Sequence, residues 1–180
     1  MKRLVGTIRA DVTHLYLKGR YFWNKRTADN IATALDYFNR AVELDPDFPP
    51  LLWHMGWAYE QTGRYAEAIA AAQKAIAISA GNPLYIASLG HAYAKAGEDQ
   101  AAREILDRLA VESKSRHVSA YHVAVIHGAL GDLDQAMMWL EQAFQEKSPW
   151  TGYMRVDPRV DPLRSDPRFS GLLEKAKLNF

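Results

Sequence analysis

Small residues recur along this 180-residue chain with a period of 34. Gly63, Gly97 and Gly131 keep the interval through three copies, and Ala34, Ala68, Ala102 and Ala136 keep it through four. The pair Met55-Gly56 with Tyr59 returns as Leu89-Gly90 with Tyr93. Between these points apolar residues are spaced by three and four, the mark of helices with one apolar face. A repeat of this length holds two such helices, and one pair cannot bury its apolar face alone, so successive pairs must stack. The small residues let the helices of a pair approach, and the three glycines sit where the first helix must end in a left-handed conformation. Pro46, Pro49, Pro50 and Pro83 fall at the joints between pairs, where a helix cannot continue.

The period and its residues match the tetratricopeptide unit, whose signature runs W-x2-L-G-x2-Y, then A-x3-F, then P. The chain is identified on these residues as a tetratricopeptide-repeat protein. The expected fold is all-α, a solenoid of four helix-turn-helix repeats at 15–48, 49–82, 83–116 and 117–150. Before them lies a basic N-terminal segment, 1–14, and after them a strap and capping helix, 151–180. The second block is the clearest copy, although Leu52 stands in place of the first Trp. The fourth has Ala124 for Gly and His127 for Tyr. In the first block Asp29 replaces the turn glycine, and Thr27 is expected to cap a second helix starting early, at Ala28, and running to about Glu43. Past residue 150 the repeat stops. The run VDPRVDPLRSDPRF carries three Asp-Pro pairs and reads as an extended, turn-rich strap. Asp166-Pro167 then opens a final helix, with Phe169, Leu172, Leu173 and Ala176 on its apolar face and Lys175 and Lys177 outward.

YLKGRYFWNKRT at 16–27 and the Asp-Pro tail also resemble the tetratricopeptide C-terminal regions of bacterial winged-helix regulators, Ser/Thr kinases and nucleotide cyclases. No winged-helix, kinase or cyclase motif accompanies them, so the expectation is either a stand-alone relative or a piece of a larger regulator. The resemblance implies that the first helix of each repeat lines a groove through positions 2, 5, 6, 9, 12 and 13. In the register above these include Tyr16, Trp23 and Arg26; Trp53, His54, Trp57, Glu60 and Gln61; Leu84, His91 and Lys95; and Val118, Tyr121, His122 and Val125. Trp53 and Trp57 are one turn apart and share a face. Two readings stand side by side: an aromatic cleft for a peptide, or rings packed within the chain. On the first, truncating Trp53 and Trp57 together weakens partner capture without unfolding the protein. The carboxylate clamp of some family members is missing, since its places hold Gly19, Trp23, His54, Leu84 and Ser88.

Composition narrows the function further. The net charge is +1, but residues 1–26 hold seven Lys and Arg against Asp11 alone. Nucleic-acid contact through Lys2, Arg3, Arg9, Arg20, Lys25 and Arg26 is therefore a third reading, disfavoured because no stacking pattern accompanies the charges. Cysteine is absent, which excludes disulfides and thiolate chemistry. His54, His91 and His122 fall on groove positions, but no two histidines are spaced i, i+4 on one helix, so no metal and no cofactor is expected. Carboxylates such as Glu43, Asp45, Asp47, Asp132 and Asp134 cluster at helix ends, where they cap or stay solvated. Neither a phosphate-binding glycine loop nor a nucleophile motif is present. No stretch approaches a membrane span, and no apolar core follows the N-terminal basic residues. The chain thus reads as a non-catalytic, cytoplasmic protein-binding scaffold, with homodimerisation as the alternative.

Overall fold

The computed structural model describes the backbone of residues 2–176 and the side chains of residues 9–176. Among them are nine α-helices and two short 3-10 helices, with no strand. The helices are α1 (Lys2–Trp23), α2 (Ala28–Leu44), α3 (Pro49–Gln61), α4 (Tyr65–Ile78), α5 (Pro83–Ala96), α6 (Asp99–Glu112), α7 (Ala120–Ala129), α8 (Leu133–Gln145) and α9 (Pro167–Lys175). The 3-10 helices, Pro149–Tyr153 and Pro158–Leu163, lie between α8 and α9. The chain forms two compact units, 1–85 and 86–180.

The 34-residue glycines work as their spacing implies. Gly63, Gly97 and Gly131 have φ of 72°, 80° and 79°. After each, the next amide donates back to the carbonyl of Tyr59, Tyr93 or His127, at 2.9 Å in all three cases. This is the six-to-one bond that closes a helix whose following residue is left-handed. In the first repeat the left-handed residue is Arg26, φ 55°, and Thr27 caps α2 by accepting from the Asn30 amide.

That substitution moves the register. Arg26 is 37 residues before Gly63, the start of α2 is 37 before the start of α4, and Gly19 is 37 before Gly56. Burial agrees: Ile31, Ala34, Leu35 and Phe38 in α2 line up with Ala68, Ala71, Ala72 and Ala75 in α4. The first repeat therefore runs three residues ahead of the 34-residue register, and the extra residues lengthen α2, which has 17 residues against 14 in α4. Its signature is Leu15-x2-Lys18-Gly19-x2-Phe22. Nor do residues 1–14 form a separate segment, because α1 is unbroken from Lys2. The side chains of Lys2 and Arg3, expected to be basic contacts, lie outside the described residues, as does Lys177.

Close approach is demanded at two of the three signature glycines, and a Cβ on Gly19 would collide with the Phe38 ring. A Cβ on Gly90 would lie 2.7 Å from Ile105 Cγ2, whereas on Gly56 the nearest atom would be the Ala68 carbonyl oxygen at 3.7 Å. In the second unit α7 and α8 enclose a core with the C-terminal segment, in which Tyr121, Met137, Leu140, Met154, Val160, Leu163 and Phe169 are all buried. The strap is not extended, as the sequence suggested. Pro149, Pro158 and Pro167 occupy first-turn positions of the two 3-10 helices and α9, where their fixed φ and missing N–H cost nothing, and Pro162 lies inside the second 3-10 helix. Asp157 and Asp166 cap the next elements by accepting from the amides of Arg159 and Arg168. Phe169 and Leu172 of α9 are buried, and Lys175 is exposed.

Candidate functional site

In the first unit Tyr16, Trp23, Trp53, His54 and Trp57 converge. Trp53 and Trp57 approach to 4.3 Å between ring centroids, Trp23 and Trp57 to 5.3 Å, and Tyr16 and His54 to 5.3 Å edge-on. His54 Nδ1 lies 2.8 Å from the Pro50 carbonyl oxygen, which can only accept, so Nδ1 carries the proton. The Tyr16 hydroxyl sits 3.2 Å from the same nitrogen. Burial raises the Tyr16 pKa against the opposing charge of Arg20. Trp23, Trp53, His54 and Trp57 are each 9% exposed or less. The rings are packed on one another; they are a floor rather than an open cleft.

The register shift changes which residues of α1 share this face. Counted from α3, the groove positions are Thr13, Tyr16, Leu17, Arg20, Trp23 and Asn24, with Arg26 at the turn. Leu17 is 52% exposed, and Thr13, Arg20 and Asn24 are also exposed. Around the ring floor, Tyr16, Arg26, Glu60, Gln61 and Leu84 are half-buried. Sequence reasoning missed Leu17 and Asn24 because it held the period at 34; the Lys18-Gly19-x2-Phe22 match would have found them, and Arg20 falls on a groove position in either register.

In the second unit the expected groove residues divide. Lys95 is exposed, His91 is buried, and Val118 is half-buried. Tyr121, His122 and Val125 are 0–2% exposed because the C-terminal segment covers them. The Tyr121 hydroxyl donates to Asp157 Oδ2 at 2.9 Å, and the Arg159 guanidinium grips the same carboxylate at 2.6 and 3.0 Å. Arg164 donates to the Asp157 carbonyl oxygen. Burial alone would raise the Asp157 pKa, but the Arg159 charge and hydrogen bonds outweigh it and hold the carboxyl well below its usual range. Burial, reinforced by the Asp157 charge, raises Tyr121. His122 lies edge-on to Trp150 at 4.9 Å, and neither ring nitrogen has a hydrogen-bond partner among the described residues. Burial, then the nearby Arg159 charge, depresses its pKa far below 6.5. Trp150, Asp157 and Arg159 were not foreseen as site residues. The repeated Asp-Pro-Arg is the available signal, since Asp166 and Arg168 build the same fold-back at 2.6 and 3.0 Å.

The basic residues of α1 and of the turn after it do not form a free phosphate-binding row. Lys18 lies over the Tyr37 ring at 5.6 Å, Arg20 over Tyr16 at 5.6 Å, Lys25 over Tyr21 at 4.5 Å and Arg26 over Trp23 at 4.8 Å. Among the described residues no group of three His, Asp or Glu could hold a metal ion, and no helix is long and apolar enough to cross a membrane. A separate cavity of about 710 Å³ opens between α6, α7 and α8, with Leu106, Val123, His127 and Trp139 among its walls.

Known proteins place these helix pairs. A crystal structure of MamA is 22% identical, with a TM-score of 0.51, over 93% of this chain and 92% of that one. A crystal structure of a Podosopora anserina putative kinesin light chain with nearly identical TPR-like repeats is 21% identical, with a TM-score of 0.50, over 96% and 94%. These likenesses concern the fold. No curated protein matches the chain in sequence. Profiles of the tetratricopeptide repeat match residues 16–83, 61–122 and 119–148. Together they span Tyr16 to Ser148, and the chain belongs to the tetratricopeptide-repeat family, an all-α scaffold of the solenoid class for protein–protein contacts.

Proposed function

We propose that this chain holds a segment of another polypeptide against the first-helix face of its repeats, as a non-catalytic module of bacterial regulation in the cytoplasm. The observation that carries the reading is the position of Leu17 and Asn24. Both are exposed, both fall in the groove register, and both stand beside a floor of rings already fixed by mutual packing. A preorganised floor spares the partner the cost of ordering it. The contacts offered in the first unit are the apolar Leu17 and a half-buried polar edge of Arg26, Glu60 and Gln61. Tyr121, His122 and Val125 are already occupied by the chain's own strap and are not part of the offered surface.

Photo-crosslinking in the native host tests this. A photoreactive residue at Asn24 is expected to capture a partner that one at Gln73, on the exposed side of α4, does not, and Leu17→Asp should abolish the adduct while leaving helicity intact. Equal capture from both positions, or capture that survives Leu17→Asp, refutes the reading.

A further inference from the structure

The chemistry of the partner can be read from how α1 holds its charges. Several cations elsewhere are paired with carboxylates: Arg64 with Glu67, Lys74 with Asp47, Arg103 with Asp132, Arg159 with Asp157 and Arg168 with Asp134 and Asp166. On α1 and the turn that follows it, Lys18, Arg20 and Lys25 have no carboxylate partner among the described residues. Each rests instead on an aromatic ring of its own unit. A ring face orients a cation without cancelling its charge, so these three present full positive charge in fixed places.

Their arrangement is specific. At 100° per residue, Leu17 and Tyr21 form one stripe along α1, with Lys18 to one side and Arg20 to the other, and Lys25 of the following turn lies over the Tyr21 ring. Both stripe residues are open, Leu17 at 52% and Tyr21 at 59%. An apolar stripe between unneutralised cations matches a segment with carboxylates on both sides of an apolar anchor.

We propose that α1 binds an internal acidic polypeptide segment, its apolar residue on Leu17–Tyr21 and its Asp or Glu side chains on Lys18, Arg20 and Lys25. The proposal rests on the groove reading above and adds the partner's charge. Nucleic acid is the competing polyanion. It gains affinity from many phosphate contacts at once, and three cations interrupted by an exposed Leu and Tyr offer few. A free chain terminus is not required, since no clamp for a terminal carboxylate is present.

The test uses the full chain and three fluorescein-labelled probes: a peptide of Glu residues around a central Leu-Phe pair, its Lys-for-Glu analogue, and a single-stranded oligonucleotide of equal charge. Fluorescence anisotropy should show binding of the acidic peptide only, weakening as salt rises. Reversing charge with Lys18→Glu and Lys25→Glu should weaken it at least about tenfold, a change of about 1.4 kcal/mol. These side chains are exposed, so circular dichroism should be unchanged. Tighter binding of the oligonucleotide, no binding of the acidic peptide up to about 1 mM, or indifference to charge reversal overturns the proposal. Loss of the Asn24 crosslink in Leu17→Asp together with its survival in the charge-reversed variant leaves the groove reading standing and removes the acidic partner.

Discussion

Replacing His122 with Leu should stabilise the protein, and by an amount that grows as the pH falls. The imidazole is 2% exposed, and both its nitrogens lack a hydrogen-bond partner among the described residues. A buried donor or acceptor left unmade costs about 1–3 kcal/mol, and an apolar side chain of similar size removes that cost. Against this stands the edge contact with Trp150 at 4.9 Å, one of a class worth about 0.5–1.5 kcal/mol. The expected gain at pH 7.5 is about 1 kcal/mol on those two figures. The pH term adds to it. The folded ring resists protonation, while in the unfolded chain it takes a proton near pH 6.5. Below that pH the unfolded state binds more protons, so the wild type loses stability at up to about 1.4 kcal/mol per pH unit. The leucine variant lacks this loss, and the gap should widen by at most about 2 kcal/mol by pH 5. Urea denaturation of both proteins at several pH values from 7.5 to 5 measures it. Parallel stability curves across that range would refute the assignment of His122 as an unpaired neutral ring.

Gly90→Ala should cost about 1–3 kcal/mol, because its Cβ would meet Ile105 Cγ2, a methyl fixed on a branched Cβ that cannot swing away. Gly56→Ala, with its nearest atom at 3.7 Å, should instead stabilise by about 0.5–1 kcal/mol through helix propensity; equal effects in thermal melts would contradict the packing. Trp57→Ala removes a ring packed on Trp53 and Trp23 and should cost about 3–5 kcal/mol. The double truncation of Trp53 and Trp57 is therefore expected to unfold the first unit, where the cleft reading had it lose only its partner, and far-ultraviolet circular dichroism decides. Asp157→Asn strands the Arg159 guanidinium and should cost about 3–5 kcal/mol at pH 7. The Asp157 contribution is present above the ordinary carboxyl range and lost as the pH falls below about 4, so acid titration should show the variant without that limb.

Where spacing alone sets the structure, the sequence was readable. A left-handed residue is needed after the first helix of each pair, glycine supplies it most cheaply, and three glycines at a constant interval therefore located three turns before any coordinates did. Thr27, Asp166 and Pro167 were legible for the same reason, since capping is local. The first repeat was misplaced because Arg26 accepts the strained φ that glycine takes elsewhere, and nothing in an arginine advertises a left-handed turn. The strap was misread because Asp-Pro constrains one residue's φ and its predecessor, which fits an extended chain and a first 3-10 turn equally well. The state of the groove aromatics was not legible at all. Whether a ring packs or waits depends on what covers it, and that depends on tertiary contacts such as Trp53 with Trp57 or Asp157 with Tyr121.

The two units close the same face by different means, and the difference decides what a partner can touch. In the first, three indoles and an imidazole consume each other's surface and leave only edges. In the second, the chain's own Asp-Pro-Arg turn supplies the carboxylate that Tyr121 needs, and Met154, Val160 and Leu163 cover Val125. Neither surface can be offered to a ligand without first being uncovered, at a cost of several kcal/mol for burial of that extent. Binding energy for a partner must then come from residues exposed in the resting protein. On the groove register of the first repeat those are Thr13, Leu17, Arg20 and Asn24, and Lys18, Arg20 and Lys25 have no carboxylate partner among the described residues. Specificity in this protein should accordingly follow charge and a single apolar contact on α1, and variants there should change binding while leaving stability nearly untouched.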